Sequence, residues 1–206
     1  MYRKLSQNGV SEDIACTLHN LAYNYGVMGQ YSDAEEYYKQ SLAMCRVFSQ
    51  SGVSEDVAHV LNNLGINYTA MEQYSDAEDY YIQALAMYRE LSLNGVSKGI
   101  ALVLHSLAYN YKTMAQYSDA EIYYKQALAM YRDLSPDSHR QTIASILDTL
   151  GDISEAANRN RQARKYYKQA LSLYGQAEPA SPLSITAIKD KLESLKTRKT
   201  TRCAIL

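Results

Sequence analysis

The pentapeptide Tyr31-Ser32-Asp33-Ala34-Glu35 returns unchanged at Tyr74 and again at Tyr117, at steps of 43 residues. The step holds outside it as well. Met1-Tyr2-Arg3-Lys4-Leu5-Ser6 recurs as Met44-Cys45-Arg46-Val47-Phe48-Ser49, as Met87-Tyr88-Arg89-Glu90-Leu91-Ser92 and as Met130-Tyr131-Arg132-Asp133-Leu134-Ser135. A period of about 20–50 residues is the signature of stacked supersecondary units, none of which buries its apolar face alone.

Each unit reads as two helices. The first is expected to begin at Ser11, Ser54 and Ser97, hydroxyls suited to capping unpaired N–H groups. Glu12-Asp13 and Glu55-Asp56 then place negative charge at the positive end of the helix dipole. The second is expected to begin at Ser32, Ser75 and Ser118. Glu35, Glu78 and Glu121 follow three residues on, as in a capping box. It is expected to end before Gly9, Gly52 and Gly95, with a left-handed glycine as its C-terminal cap. Leu18, Leu21 and Tyr25, then Ala34, Tyr38 and Leu42, mark a buried stripe at helical spacing.

Composition agrees with repetition. Of 206 residues, 20 are Tyr, one is Phe and none is Trp, as when one unit's aromatic choice is copied. Three Pro and nine Gly are too few for a turn-dense all-β domain or a Pro/Gly-rich disordered chain. No apolar run reaches the roughly 18–20 residues of a membrane-spanning helix, and the first residues lack an apolar signal core. Cys16, Cys45 and Cys203 are an odd, sparse set that reads as reduced thiols in a cytosolic protein. The net charge of −1 hides an asymmetry. Residues 1–137 hold nine basic and sixteen acidic side chains, net −7; residues 138–206 hold twelve and six, net +6.

Leu18, Leu21, Ala22, Tyr25, Ala34 and Tyr38 fit the tetratricopeptide pattern. Leu61, Leu64, Gly65, Tyr68, Ala77 and Tyr81 fit it in phase, as do Leu104, Leu107, Ala108, Tyr111, Ala120 and Tyr124. Leu147, Leu150, Gly151, Ala163 and Tyr167 make a fourth match, with Ser154 in place of the tyrosine. The 43-residue period, longer than the usual repeat of about 34, resembles the kinesin light chain and nephrocystin-3 type, as does Leu61-Asn62-Asn63-Leu64. The resemblance implies an all-α, right-handed helical solenoid of helix-turn-helix repeats with a concave peptide-binding groove. Heptad segments of the kind kinesin light chains use to bind the motor are not visible, so motor attachment is not carried over.

In such arrays the first helices line the groove. The residues this places there are His19, Asn20 and Asn24, then Asn62, Asn63 and Asn67, then His105, Ser106 and Asn110; Asn offers both a donor and an acceptor to a peptide backbone. The positions that would carry the carboxylate clamp of chaperone-binding members hold Leu102 and Ser106, which disfavours that ligand. Lys112 is the one cation expected on the inner face of repeats one to three, so a phosphopeptide groove has little support. His19, His59, His105 and His139 fall in different repeats without metal-ligand spacing and read as ordinary polar surface residues. No phosphate loop, nucleophile elbow or paired-carboxylate motif is present. No metal, cofactor or catalytic residue is therefore expected, and the chain is not expected to be an enzyme. The pairs Tyr37-Tyr38, Tyr80-Tyr81, Tyr123-Tyr124 and Tyr166-Tyr167 read as packing residues whose hydroxyls reach water.

Cys203-Ala204-Ile205-Leu206 is a C-a-a-X prenylation box, and X = Leu favours geranylgeranylation of Cys203, followed by loss of the last three residues and methylation. Lys196, Arg198, Lys199 and Arg202 stand just upstream; one lipid plus a basic patch supplies the two signals stable anchoring needs. Arg159, Arg161, Arg164, Lys165 and Lys168 form a second basic cluster that could face a membrane beside the lipid, while a pI of about 6.4 argues against nucleic acid.

The expected organisation is a truncated preceding repeat at 1–10, four repeats over 11–178, a capping helix at 183–196 and a basic tail with the C-a-a-X box at 197–206. Leu183, Ile185, Ile188, Leu192 and Leu195 form the apolar face of the capping helix. The N-terminal end has no matching cap, so self-association through it is an expectation. The chain thus reads as a scaffold or adaptor that binds a protein or peptide partner, is a substrate of a prenyltransferase, and sits on the cytosolic face of a membrane. The alternatives are a soluble kinesin-light-chain-like cargo adaptor fragment and a bacterial effector or regulator acting at host membranes.

Overall fold

A computed structural model describes residues 12–49, 52–176 and 182–203, with 197–203 described by their backbone alone. Among the described residues there are nine α-helices and no strand: α1 (Glu12–Val27), α2 (Tyr31–Phe48), α3 (Glu55–Ala70), α4 (Tyr74–Leu91), α5 (Lys98–Thr113), α6 (Tyr117–Leu134), α7 (Arg140–Ala156), α8 (Asn160–Gln176) and α9 (Pro182–Cys203). The fold is all-α, built of successive helix-turn-helix pairs, as expected. Its contacts form two compact units, Met1–Tyr123 and Tyr124–Leu206, with the boundary inside α6.

The first helices start where their serines direct. The Ser54 hydroxyl accepts from the Val57 N–H (3.1 Å), and the Ser97 hydroxyl from the N–H groups of Gly99 (3.1 Å) and Ile100 (3.5 Å). Ser11 lies outside the described residues. The second helices start one residue before their serines. Gln30 and Gln73 are the N-caps of α2 and α4 and make no side-chain cap, so the expected capping boxes do not form. The reason lies in the turn just before. Gly29 N–H bonds the Gly26 carbonyl and Gln30 N–H the Tyr25 carbonyl, a Schellman closure of α1 that hands the chain straight to α2. The same two bonds recur around Glu72, Ala115 and Asn158. The left-handed residue of that closure is Gly29 (φ 77°), Glu72 (60°), Ala115 (58°) and Asn158 (57°) in turn. The periodic left-handed cap therefore ends the first helix of each repeat. Gly52 and Gly95 do have positive φ, but α2 and α4 are capped by extended Ser49 and Ser92, and these glycines belong to the inter-repeat turn.

In the first unit α1 pairs with α2 and α3 with α4. The first helices also touch one another directly, α1 on α3 and α3 on α5, and α2 and α4 pack against the first helix of the following repeat. The small residues of the pattern permit the close approach: Ala22, Ala34 and Ala77 are fully buried, and a Cβ on Gly65 would lie 2.5 Å from the Tyr81 ring. Leu64, Leu107 and Leu150 are enclosed, whereas Leu21, at the same position in α1, is 36% exposed.

The tyrosines have a common use. Tyr25 stacks on Tyr37 (5.2 Å), Tyr68 on Tyr80 (5.1 Å) and Tyr111 on Tyr123 (5.3 Å). The Tyr68 hydroxyl donates to Glu35 of the preceding repeat (2.7 Å) and Tyr111 to Glu78 (2.5 Å). Those glutamates, read as capping residues, are instead acceptors for the next repeat. A phenylalanine at position 68 or 111 would remove this bond between repeats.

In the second unit α7 pairs with α8, and α9 packs on α8. The Tyr167 hydroxyl donates to Asp152 (2.7 Å) and lies 3.0 Å from Glu155. Ile188 and Leu195 are buried, but Leu183, expected on the same face, is 86% exposed. The helix does not stop at 196; it runs to Cys203, as no Gly or Pro in 197–203 interrupts it.

Candidate functional site

The nine residues read as groove-lining separate into two sets. Asn62, Asn67, Ser106 and Asn110 are buried, which corrects their placement on an open face. Asn67 donates to the Tyr31 carbonyl (2.9 Å) and Asn110 to the Tyr74 carbonyl (3.0 Å), tying each first helix to the start of the preceding repeat's second helix. Asn110 also accepts from Thr69 (2.9 Å), and Thr69 accepts from Tyr81 (3.1 Å). The Ser106 hydroxyl donates to the Leu102 carbonyl in its own helix. Asn20 and Asn24 are exposed; His19, Asn63 and His105 are half-buried.

Two histidines from successive repeats meet. His19 of α1 stacks on His59 of α3 at 4.8 Å and meets the Tyr38 ring edge-on at 5.5 Å; the Asn63 amide lies 3.0 Å from its Nε2. Burial, followed by the neighbouring His59, lowers the His19 pKa to about 4 despite Asp56 pulling the other way. His59 and His105 are also lowered by burial. His19 and His59 are therefore a neutral, partly desolvated pair, not the independent surface residues their spacing suggested. Among the described residues no three His, Cys, Asp or Glu side chains are placed to hold a metal ion.

The pair borders a cavity of about 560 Å³ whose lining also includes Asn20, Cys45, Ser49 and Asp56. Its origin is visible in the repeat register. Position 45 is Cys, while the equivalent positions hold Tyr88, Tyr131 and Tyr174, all buried. In repeat two the Tyr88 ring lies against Gly99, so close that a Cβ there would stand 2.3 Å away. Repeat one has Asp56 at that glycine's position. With Cys45 in place of that ring, a space is left in repeat one. Cys45 and Cys16 are free thiols, and the buried Ser49 hydroxyl on the cavity wall has no partner among the described residues. His59, Cys45 and Asp56 are not legible as site residues one at a time; the signal is Cys45 in a register that holds tyrosine at 2, 88, 131 and 174.

The basic residues divide similarly. Lys196 pairs with Glu193 (2.6 Å), and Arg164 donates to the Leu195 carbonyl (3.3 Å), so both serve α9. Arg161, Lys165 and Lys168 are exposed on α8. Lys191 of α9 bridges Asp148 (2.8 Å) and Asp152 (2.7 Å) of α7. The side chains of Arg198, Lys199, Arg202 and Cys203, and residues Ala204, Ile205 and Leu206, lie outside the description, as do residues 1–10. No described helix is long and apolar enough to cross a membrane.

Comparison with known proteins agrees with this architecture. The tetratricopeptide repeat family model matches residues 13–90, 56–133 and 100–176. Among solved structures, BtubC (BKLC) from P. vanneervenii has a TM-score of 0.71 at 21% identity, over 94% of this chain and 82% of that one. A kinesin light chain protein of P. anserina with nearly identical repeats has a TM-score of 0.74 at 18% identity, over 94% and 90%. Aspartyl phosphate phosphatase F from Bacillus subtilis has 0.76 at 15%, over 86% and 44%. At these identities the likeness is one of fold. No curated protein matches the sequence. With three overlapping family matches spanning most of its length, the chain belongs to the tetratricopeptide repeat family.

Proposed function

We propose that the protein is a non-catalytic interaction scaffold that holds a partner peptide along the face of α1, α3 and α5 and anchors it by an aromatic side chain in the repeat-one cavity. The observation that carries this reading is the space left where Cys45 stands in the register of Tyr88, Tyr131 and Tyr174. Its lining suits a tyrosine: stacked neutral imidazoles offer a π-face, and Asn20 and Ser49 offer hydrogen-bonding groups. His19, Asn20, Asn24, Asn63 and His105 are the polar contacts available to the peptide backbone.

Peptides selected from a displayed library against the full chain test it. Cys45→Tyr with Asp56→Gly restores the repeat-two pair and fills the cavity. Binding of the selected peptides is expected to fall by about tenfold or more, the usual scale for losing a buried aromatic anchor. Undiminished binding would overturn the cavity as the anchor site.

The second part of the proposal is a membrane tether: with Leu206 as the free carboxyl terminus, Cys203 is geranylgeranylated, trimmed and methylated, and the basic residues around it hold the scaffold on a cytosolic leaflet. Metabolic prenyl labelling of wild type and Cys203→Ser tests this. Label in wild type alone supports the tether; no label in either favours the soluble adaptor reading.

A further inference from the structure

The grooves between successive second helices provide an internal comparison. Between α2 and α4 lies a groove of about 500 Å³, with Lys39 and Arg46 on one wall and Asp76 and Asp79 on the other. Between α6 and α8 lies one of about 590 Å³, with Lys125 and Arg132 on one wall and Arg161 and Lys165 on the other. The two sites correspond residue for residue at twice the repeat period. Lys39 matches Lys125 and Arg46 matches Arg132, while Ser75, Asp76 and Asp79 give way to Arg161, Gln162 and Lys165. One wall keeps its charge; the facing wall changes from two carboxylates to two cations. The first groove is balanced, and the second has four cations and no carboxylate in its lining.

The fold does not require this concentration of charge, because the balanced version occupies the same architecture two repeats earlier. Arg132, Arg161 and Lys165 are exposed and form no ion pair among the described residues. Like charges held together are unfavourable until an anion joins them, and guanidinium groups on opposite walls suit phosphate oxygens.

We propose that the α6–α8 groove binds the phosphorylated headgroup of an anionic lipid. A lipid surface is favoured over a single phosphorylated peptide because the excess positive charge is not confined to the groove. Residues 138–206 carry net +6, and Lys168 on α8 and Lys189 on α9 are also exposed. The site deepens the membrane part of the functional proposal but does not depend on prenylation, since it acts on the unmodified chain.

The test uses the full chain with Cys203→Ser, so that no lipid is attached, in co-sedimentation with vesicles. The vesicles are phosphatidylcholine alone, phosphatidylcholine with phosphatidylserine, and phosphatidylcholine with phosphatidylinositol bisphosphate. Binding is expected on the anionic vesicles, strongest with the bisphosphate, and absent on phosphatidylcholine. The swap Arg161→Ser, Gln162→Asp, Lys165→Asp installs the repeat-two wall. It is expected to weaken binding by about tenfold or more, given the contribution of each basic residue near an anionic surface. The reverse swap Ser75→Arg, Asp76→Gln, Asp79→Lys is expected to strengthen it. Each swapped residue already occupies the equivalent place in another repeat, and thermal melts confirm that the variants fold. Equal binding by the wild-type groove and the swap, or no binding to anionic vesicles, overturns the proposal. So does swap-sensitive binding of a phosphoserine peptide without binding to vesicles. Absence of prenyl label in cells would leave this result untouched.

Discussion

Glu72 and Ala115 hold φ near +60° at a position where repeat one has glycine and repeat four has asparagine. For a residue with a Cβ that conformation costs about 1–2 kcal/mol, part of which glycine returns through its greater freedom when unfolded. Glu72→Gly and Ala115→Gly are each expected to raise stability by about 0.5–1 kcal/mol in urea denaturation. Ser154 is fully buried with its hydroxyl unpartnered among the described residues, in the place of a tyrosine of the earlier repeats. Ser154→Ala removes that orphan group and is expected to stabilise by about 1 kcal/mol. At His19 the folded pKa of about 4 lies below the ordinary 6.5, so the folded state binds fewer protons than the unfolded one between those values. Its contribution is intact above about pH 6.5 and is lost as pH falls toward 4. His19→Asn, the residue at the equivalent position 62, is expected to flatten the fall in melting temperature over that window. A histidine NMR titration placing the His19 midpoint near 6.5 would contradict the burial seen here.

At the scale of the element, helix starts and stops were only half legible. Ser54 and Ser97 cap as their sequence position indicated, and Ser54→Ala or Ser97→Ala is expected to cost about 1 kcal/mol in chemical denaturation. The Ser-Asp-Ala-Glu segments resemble capping boxes in one dimension. The Schellman closure before them already occupies the backbone, and Glu35 and Glu78 are drawn to tyrosines of the next repeat. A local pattern does not reveal a competing partner 33 residues away. The capping helix was legible in its existence but not its extent, and beside its buried Ile188 and Leu195 it is tied by Lys191 to Asp148 and Asp152 of α7.

Across the whole molecule, coupling between repeats runs through side chains that composition marks only as polar. Asn110 links Thr69, the Tyr74 carbonyl and its own helix from a fully buried position. Asn110→Ala removes both bonds to the preceding repeat and is expected to cost about 2–3 kcal/mol in chemical denaturation. In a stacked array it should also broaden the urea transition, because neighbouring repeats then unfold less cooperatively. The sequence by itself determined the period, the two helices per unit and the apolar stripe, because each follows from local spacing that recurs, and it determined the charge asymmetry, which needs only a count. The tertiary structure alone decided which asparagines are buried, that His19 meets His59, that Cys45 opens a cavity, and that the α6–α8 groove gathers cations. Those outcomes depend on what stands opposite each side chain, and in a solenoid the opposite residue comes from the next turn of the array, beyond the reach of any single-repeat pattern.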